Sequence, residues 1–75
     1  MDINTLLTKI QEEKMKLEEE FRDAERSVQY TYSVGKYDLV SEHINQMKYI
    51  NERIKYLVSA EVIIKEFISR EEKGL

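Results

Sequence analysis

The chain has 75 residues, a net charge of −3, no cysteine, no proline and a single histidine. This composition excludes a disulfide framework and leaves too few ligands for a structural zinc site, so a partner chain is the remaining way to bury more apolar surface. Charged residues make up 36% of the chain and apolar ones 41%, which is typical of long helices and not of a disordered tail.

The N-terminal part predicts a first helix, because apolar side chains recur there at alternating spacings of four and three residues. Seven of the eight positions in this coiled-coil-like row are apolar, and the row runs Ile3, Leu7, Ile10, Lys14, Leu17, Phe21, Ala24 and Val28. Asp2 or Asn4 can cap the first turn by accepting hydrogen bonds from its free amides. We expect this helix over about residues 4–33.

The stretch SVQYTYSVGKYDLVSEH, residues 27–43, alternates apolar and polar side chains over residues 28–34, as a strand does. No other segment alternates, and an isolated strand is not stable, so we interpret the stretch as a corner between two helices. Gly35 can adopt the left-handed conformation that ends a helix, Asp38 can cap the next one, and Tyr37 can pack over the junction.

The corner sequence VGKYD, residues 34–38, resembles the helix–turn–helix corner of tetratricopeptide repeats, in which a Gly-x-Tyr-Asp/Glu run joins two antiparallel helices. The resemblance covers about eight residues, and the 34-residue period of that family is absent. It therefore implies an antiparallel hairpin corner over residues 34–37 and no membership of the family.

The C-terminal half predicts a second, longer helix with two adjacent apolar rows and a polar back face. One row comprises Val40, Ile44, Met47, Ile54, Val58 and Val62, and the other Leu39, His43, Ile50, Leu57, Ala60, Ile64 and Phe67 or Ile68. We expect this helix over about residues 38–72, with Gly74 suiting its C-terminal end. The two rows are wider than the single row of the first helix can cover.

We therefore predict an all-α fold, in which residues 1–75 form one helical-hairpin domain and two copies pair into an antiparallel four-helix bundle. The predicted dimer or partner interface is the apolar surplus of the second helix together with its tyrosines, namely Tyr49, Tyr56, Leu57, Val58, Val62, Ile64, Phe67 and Ile68. The corner offers a second partner surface, or alternatively a cap that shields the core from water, in Tyr30, Tyr32 and Tyr37.

Chemistry-bearing motifs are missing from the sequence. Gly35-Lys36 lacks the second glycine and the Ser or Thr of a phosphate loop, and the acidic run of residues 12–25 lacks a glycine-bent calcium loop. His43 has Val40 where a di-iron bundle needs a glutamate, so we expect it at the edge of the buried stripe, with a pH-sensing or partner-contact role as the alternative. We predict no catalytic residue, no metal, no cofactor and no small-molecule substrate.

The small size, the hairpin architecture and the apolar surplus of the second helix favour a non-enzymatic protein–protein interaction module of the adaptor, co-chaperone or inhibitor type, acting as a homodimer and binding another protein. The alternatives are a purely structural homo-oligomer and a nucleic-acid-binding regulator that uses Lys48, Arg53, Lys55, Lys65 and Arg70. Because the bases are interleaved with acids, we expect no nucleic-acid partner. The sequence has no long apolar run and no signal-peptide pattern, so we expect no membrane partner and a cytoplasmic location.

Overall fold

The computed structural model describes residues 2–73, with side chains over residues 2–72, as two helices that pack against each other. Helix α1 spans Ile3–Ser33 and helix α2 spans Tyr37–Lys73. The predicted all-helical hairpin is therefore confirmed for the described residues. Each helix begins one residue before its expected start, and α2 continues one residue beyond its expected end. Gly74, which we predicted to end α2, lies outside the described residues.

The hairpin is a slender rod with dimensions of 61 × 16 × 15 Å. Its radius of gyration is 17.3 Å, whereas a compact chain of this length would have a radius of about 11 Å. The cross-section is only wide enough for two helices side by side, so each helix has just one neighbour to pack against. None of the helices in the described residues is long and apolar enough to cross a bilayer.

Helix α1 begins with a side-chain cap supplied by Asp2. One carboxylate oxygen of Asp2 accepts a hydrogen bond from the backbone amide of Thr5 at 2.9 Å, and the other accepts one from the Thr5 hydroxyl at 3.1 Å. These bonds lower the pKa of Asp2, the bond from the Thr5 amide contributing most. Of the two capping residues that the sequence offered, Asp2 performs the role and Asn4 lies inside the helix.

The corner is a Schellman motif centred on Gly35, whose φ of 76° lies in the left-handed region. The Gly35 amide donates to the carbonyl oxygen of Tyr32 at 3.1 Å, and the Lys36 amide donates to that of Thr31 at 2.8 Å. These two bonds satisfy carbonyl groups in the last turn of α1, because no further helical residues follow whose amides could donate to them. The prediction that Gly35 ends the first helix is confirmed, and residues 28–33 are helical.

The start of α2 corrects one detail of the sequence interpretation. The amides of Leu39 and Val40 both donate to the carbonyl oxygen of Lys36, at 3.1 and 3.3 Å, so the first helical turn starts at the corner itself. Asp38 is already inside the first turn of α2, and the prediction that it caps the helix is wrong. Its carboxylate still lies at the end of the helix where the backbone dipole favours negative charge.

The core lies along the line where the two helices meet. Leu17, Ala24 and Ile50 are buried at its centre, and the side chains packed against them are Phe21, Met47, Ile54 and Leu57. Ile64 extends the buried row toward the open end of the hairpin, and Thr31 extends it toward the corner. The Thr31 hydroxyl donates to the carbonyl oxygens of Ser27 and Val28, so its burial leaves no donor unsatisfied.

Candidate interaction surfaces

A cluster of polar side chains interrupts the apolar seam near the open end of the hairpin. Glu61 of α2 is 8% exposed, and its carboxylate accepts three hydrogen bonds. Lys14 Nζ donates to Oε2 at 2.8 Å, while Lys65 Nζ and Gln11 Nε2 donate to Oε1 at 2.9 and 3.2 Å. Two of these donors come from α1 and one from α2, so the cluster ties the two helices together.

The Glu61 cluster is charged at neutral pH. Hydrogen bonds from Lys14, Lys65 and Gln11, in that order of effect, lower the pKa of Glu61 from its ordinary 4.5 to about 2, against the opposing effect of burial. The bond to Glu61 in turn raises the pKa of Lys14. A slip of α1 by seven residues would keep apolar side chains facing each other but would separate Lys14 from Glu61, so the pair favours the observed register.

The Glu61 cluster was not identified from the sequence, although Lys14 and Glu61 each place a charge in a row that is otherwise apolar. Lys14 is the one charged residue in the otherwise apolar row of α1. Glu61 occurs four residues after Leu57 and three before Ile64, which is the spacing of the buried row of α2. A charge in each of two facing seams indicates an interhelical pair, and this pattern could have located it.

The Glu61 cluster does not have the build of a reactive site, because each of its carboxylate oxygens is already bonded to a cationic group. Within residues 2–72, no three His, Cys, Asp or Glu side chains converge to hold a metal ion. His43 is half-buried on α2. A shallow, open notch of about 440 Å³ lies at the open end and is lined by Ile3, Asn4, Phe67, Ile68, Glu71 and Glu72.

The predicted interface residues of α2 divide into two groups in the hairpin. Leu57 packs against the core, Ile64 is buried and Ile68 is half-buried, so Leu57 and Ile64 serve the contact between α1 and α2. The other predicted residues are exposed, namely Tyr49, Tyr56, Val58, Val62 and Phe67. Ile63, which the sequence interpretation did not include, is 64% exposed and lies among them.

The exposed apolar side chains of α2 lie on both sides of its buried row. We call Tyr49, Tyr56, Ile63 and Phe67 the aromatic margin, and Ile44, Val58 and Val62 the valine margin. At 100° per residue, the shorter arc from Tyr56 and Ile63 to the two valines of the valine margin is roughly 100–160° and contains the polar back face of α2, while the buried row occupies the longer arc on the opposite side. Two separate apolar surfaces therefore flank the hairpin seam.

The corner tyrosines form a third exposed apolar surface. Tyr30, Tyr32 and Tyr37 are all largely exposed, and the rings of Tyr32 and Tyr37 meet at a centroid distance of 5.8 Å and an angle of 59°. This tilted contact is a geometry that aromatic pairs favour. Tyr37 therefore packs against Tyr32 at the corner, and a large part of each of the three side chains stays accessible to a partner.

The basic residues considered for nucleic-acid binding are partly engaged within the chain. Lys65 pairs with Glu61, and the guanidinium carbon of Arg53 lies 5.8 Å from the centre of the Tyr49 ring. These contacts direct two of the five candidate cations toward neighbours on α2.

Comparison of the chain with protein-family models, with curated proteins and with solved structures found no significant match.

Proposed function

We propose that the chain is a non-enzymatic protein–protein interaction module of the cytoplasm, which acts as a homodimer of helical hairpins and binds a further protein. The observation that carries this proposal is the pair of apolar margins that α2 leaves exposed on the two sides of its seam with α1. An antiparallel four-helix bundle made from two hairpins is the arrangement that best covers such a surface.

The exposed surface area of the hairpin supports a second copy of the chain as its partner. The chain exposes 5952 Å² of solvent-accessible surface, whereas a compact protein of its mass of 9.0 kDa would expose about 4,900 Å². The excess of about 1,100 Å² is comparable to what one protomer buries in a stable dimer, for which about 800 Å² is standard and obligate dimers use more. A second hairpin would bring the exposed area per chain into the range of ordinary domains.

The positions of the two margins support more than one contact. A partner helix that packs along one margin does not also cover the other, because the buried row and α1 lie between the two margins on one side of α2 and its polar back face lies between them on the other. If self-association uses one margin, the other remains for a different protein. In the alternative, a purely structural homo-oligomer, further copies of the chain would cover both margins.

The proposal is tested by measuring the mass of the purified chain by sedimentation equilibrium over a range of concentrations. We expect a reversible dimer that the Ile63→Lys variant weakens at least tenfold, because the substitution places a charge on the aromatic margin. Met15→Lys is the matched control: Met15 on α1 is 67% exposed and Ile63 is 64% exposed, and both substitutions change the net charge equally. We expect Met15→Lys to leave the dimer unchanged.

A chain that stays monomeric at all concentrations, with a folded circular dichroism spectrum, would refute the homodimer. A dye that binds exposed apolar surface separates the two forms of the proposal. Dye binding to the saturated dimer is expected if one margin remains for another protein. A saturated oligomer that binds no dye would instead support the purely structural alternative.

A further inference from the structure

We infer that the second copy of the chain packs on the aromatic margin with its own α2 antiparallel, around a twofold axis near residue 58. This inference rests on the proposed homodimer and specifies which surface forms it and in which direction the helices run. The occupant is a second copy because the excess surface of the hairpin matches one half of a dimer interface.

The aromatic margin has the spacing of a second coiled-coil seam. Its four residues belong to a row in which steps of four and three residues alternate, comprising Tyr49, Arg53, Tyr56, Ala60, Ile63 and Phe67. The row spans about 27 Å along α2, and each of its six residues can make an interlocking contact with a partner helix. The corresponding row through the valine margin is interrupted by the exposed Asn51 and Lys55, so it offers no comparable seam.

The direction of the partner helix follows from the size and charge of the residues in the row. In a parallel pair each residue meets its own copy, which would bring the two Arg53 guanidinium groups together inside the seam and set two small Ala60 side chains opposite each other. In the antiparallel pair, residues whose numbers add to 116 meet. Tyr56 then faces the partner's Ala60 and Tyr49 faces the partner's Phe67, so that Tyr56, a large side chain, lies opposite a small one.

The antiparallel pair also accommodates the charge of Arg53. Its guanidinium would lie opposite the partner's Ile63 and within one helical turn of the partner's Glu66, where it can form an ion pair at the edge of the seam. In the single chain this guanidinium already lies over the ring of Tyr49, so it is directed along the aromatic margin. The twofold axis would produce two such Arg–Glu contacts, one on each side.

Two serines on α2 provide a matched cross-linking test. Ser41 and Ser59 are both exposed, and they are 18 residues apart, which is five full turns, so they point in the same direction from the helix. The antiparallel dimer would bring the two copies of Ser59 within about 3 Å of each other along the helix axis and would separate the two copies of Ser41 by about 51 Å. The chain has no natural cysteine, so single Ser41→Cys and Ser59→Cys variants carry one thiol each.

We expect a short thiol-specific cross-linker to convert most of the Ser59→Cys variant into covalent dimer and to leave Ser41→Cys uncross-linked. Equal cross-linking of both variants, or of Ser41→Cys alone, would overturn the antiparallel arrangement. Cross-linking of neither variant, while sedimentation reports a dimer, would place the interface elsewhere and leave the proposed function intact. A monomer by sedimentation would remove the homodimer itself, so the two failures are distinguishable.

Discussion

Replacement of Leu17 by alanine tests whether the hairpin core lies where α1 and α2 meet. Leu17 is 2% exposed and is packed in the same cluster as Ala24 and Ile50. Truncation of a buried leucine to alanine costs about 2–5 kcal/mol, the cost being smaller where the surroundings can close over the cavity. The rod is two helices wide, so neighbours such as Phe21 can move inward, and we expect a loss of about 2–3 kcal/mol in the free energy of unfolding.

A loss of this size is large for so small a chain. A 75-residue domain has a total stability of about 4–11 kcal/mol, and each kcal/mol lost lowers the melting temperature of such a domain by about 4–8 °C. We therefore expect Leu17→Ala to melt about 10–20 °C below the parent chain when thermal unfolding is followed by circular dichroism. Both chains must be measured at one concentration, because the melting temperature of an associating protein depends on concentration.

Met15→Ala is the control for this measurement. Met15 lies two residues from Leu17 on the same helix but is 67% exposed, so its truncation should change the free energy of unfolding by less than about 0.5 kcal/mol. If the two variants melted at the same temperature, Leu17 would not be a core residue and the rotation of α1 relative to α2 would be wrong.

Two further predictions concern the corner and the Glu61 cluster. Gly35→Ala should lower the free energy of unfolding, measured in urea, by about 1–2 kcal/mol, because a side chain at a φ of 76° is strained even though open space surrounds it. A variant as stable as the parent chain would contradict the left-handed corner. The carboxylate of Glu61 should stabilise the fold fully above pH 4.5 and lose that effect as the pH falls toward its folded-state pKa of about 2, since the unfolded chain takes up the proton first. Urea titrations between these pH values should therefore show a weaker pH dependence for Glu61→Gln than for the parent, and identical slopes would argue against the cluster.

The sequence predicted the parts of the fold that depend on local spacing. The row of α1 from Ile3 to Val28 determines which face of that helix is apolar, and Gly35 marks its end because few other residues adopt a left-handed conformation. The first residue of α2 was misplaced by one, because the Lys36 backbone carbonyl begins the helix and no side chain marks that position. Helix ends of this kind depend on backbone geometry more than on residue type.

Which face of α2 packs against α1 was harder to predict. The apolar residues of α2 cover such a wide stripe that Leu57, Val58 and Val62 all look equally fit for burial, and only the packing against α1 distinguishes Leu57 from the other two. Burial within the hairpin and exposure to a partner both select large apolar residues, so composition cannot separate them. The position of Glu61, opposite the charged Lys14 of α1, was the feature of the sequence that indicated which face of α2 packs against α1.

The three-residue link between α1 and α2 also bears on how the chain folds. Contacts next to the corner, around Thr31, close a very short segment of chain, whereas the bond between Gln11 and Glu61 joins residues 50 positions apart. Once the corner has formed, each new contact further out extends a segment whose ends are already held together, so most of the entropy of loop closure is lost in a single early step. The hairpin can therefore assemble progressively, from the corner outward, with fraying of the distal turns as the first stage of its opening.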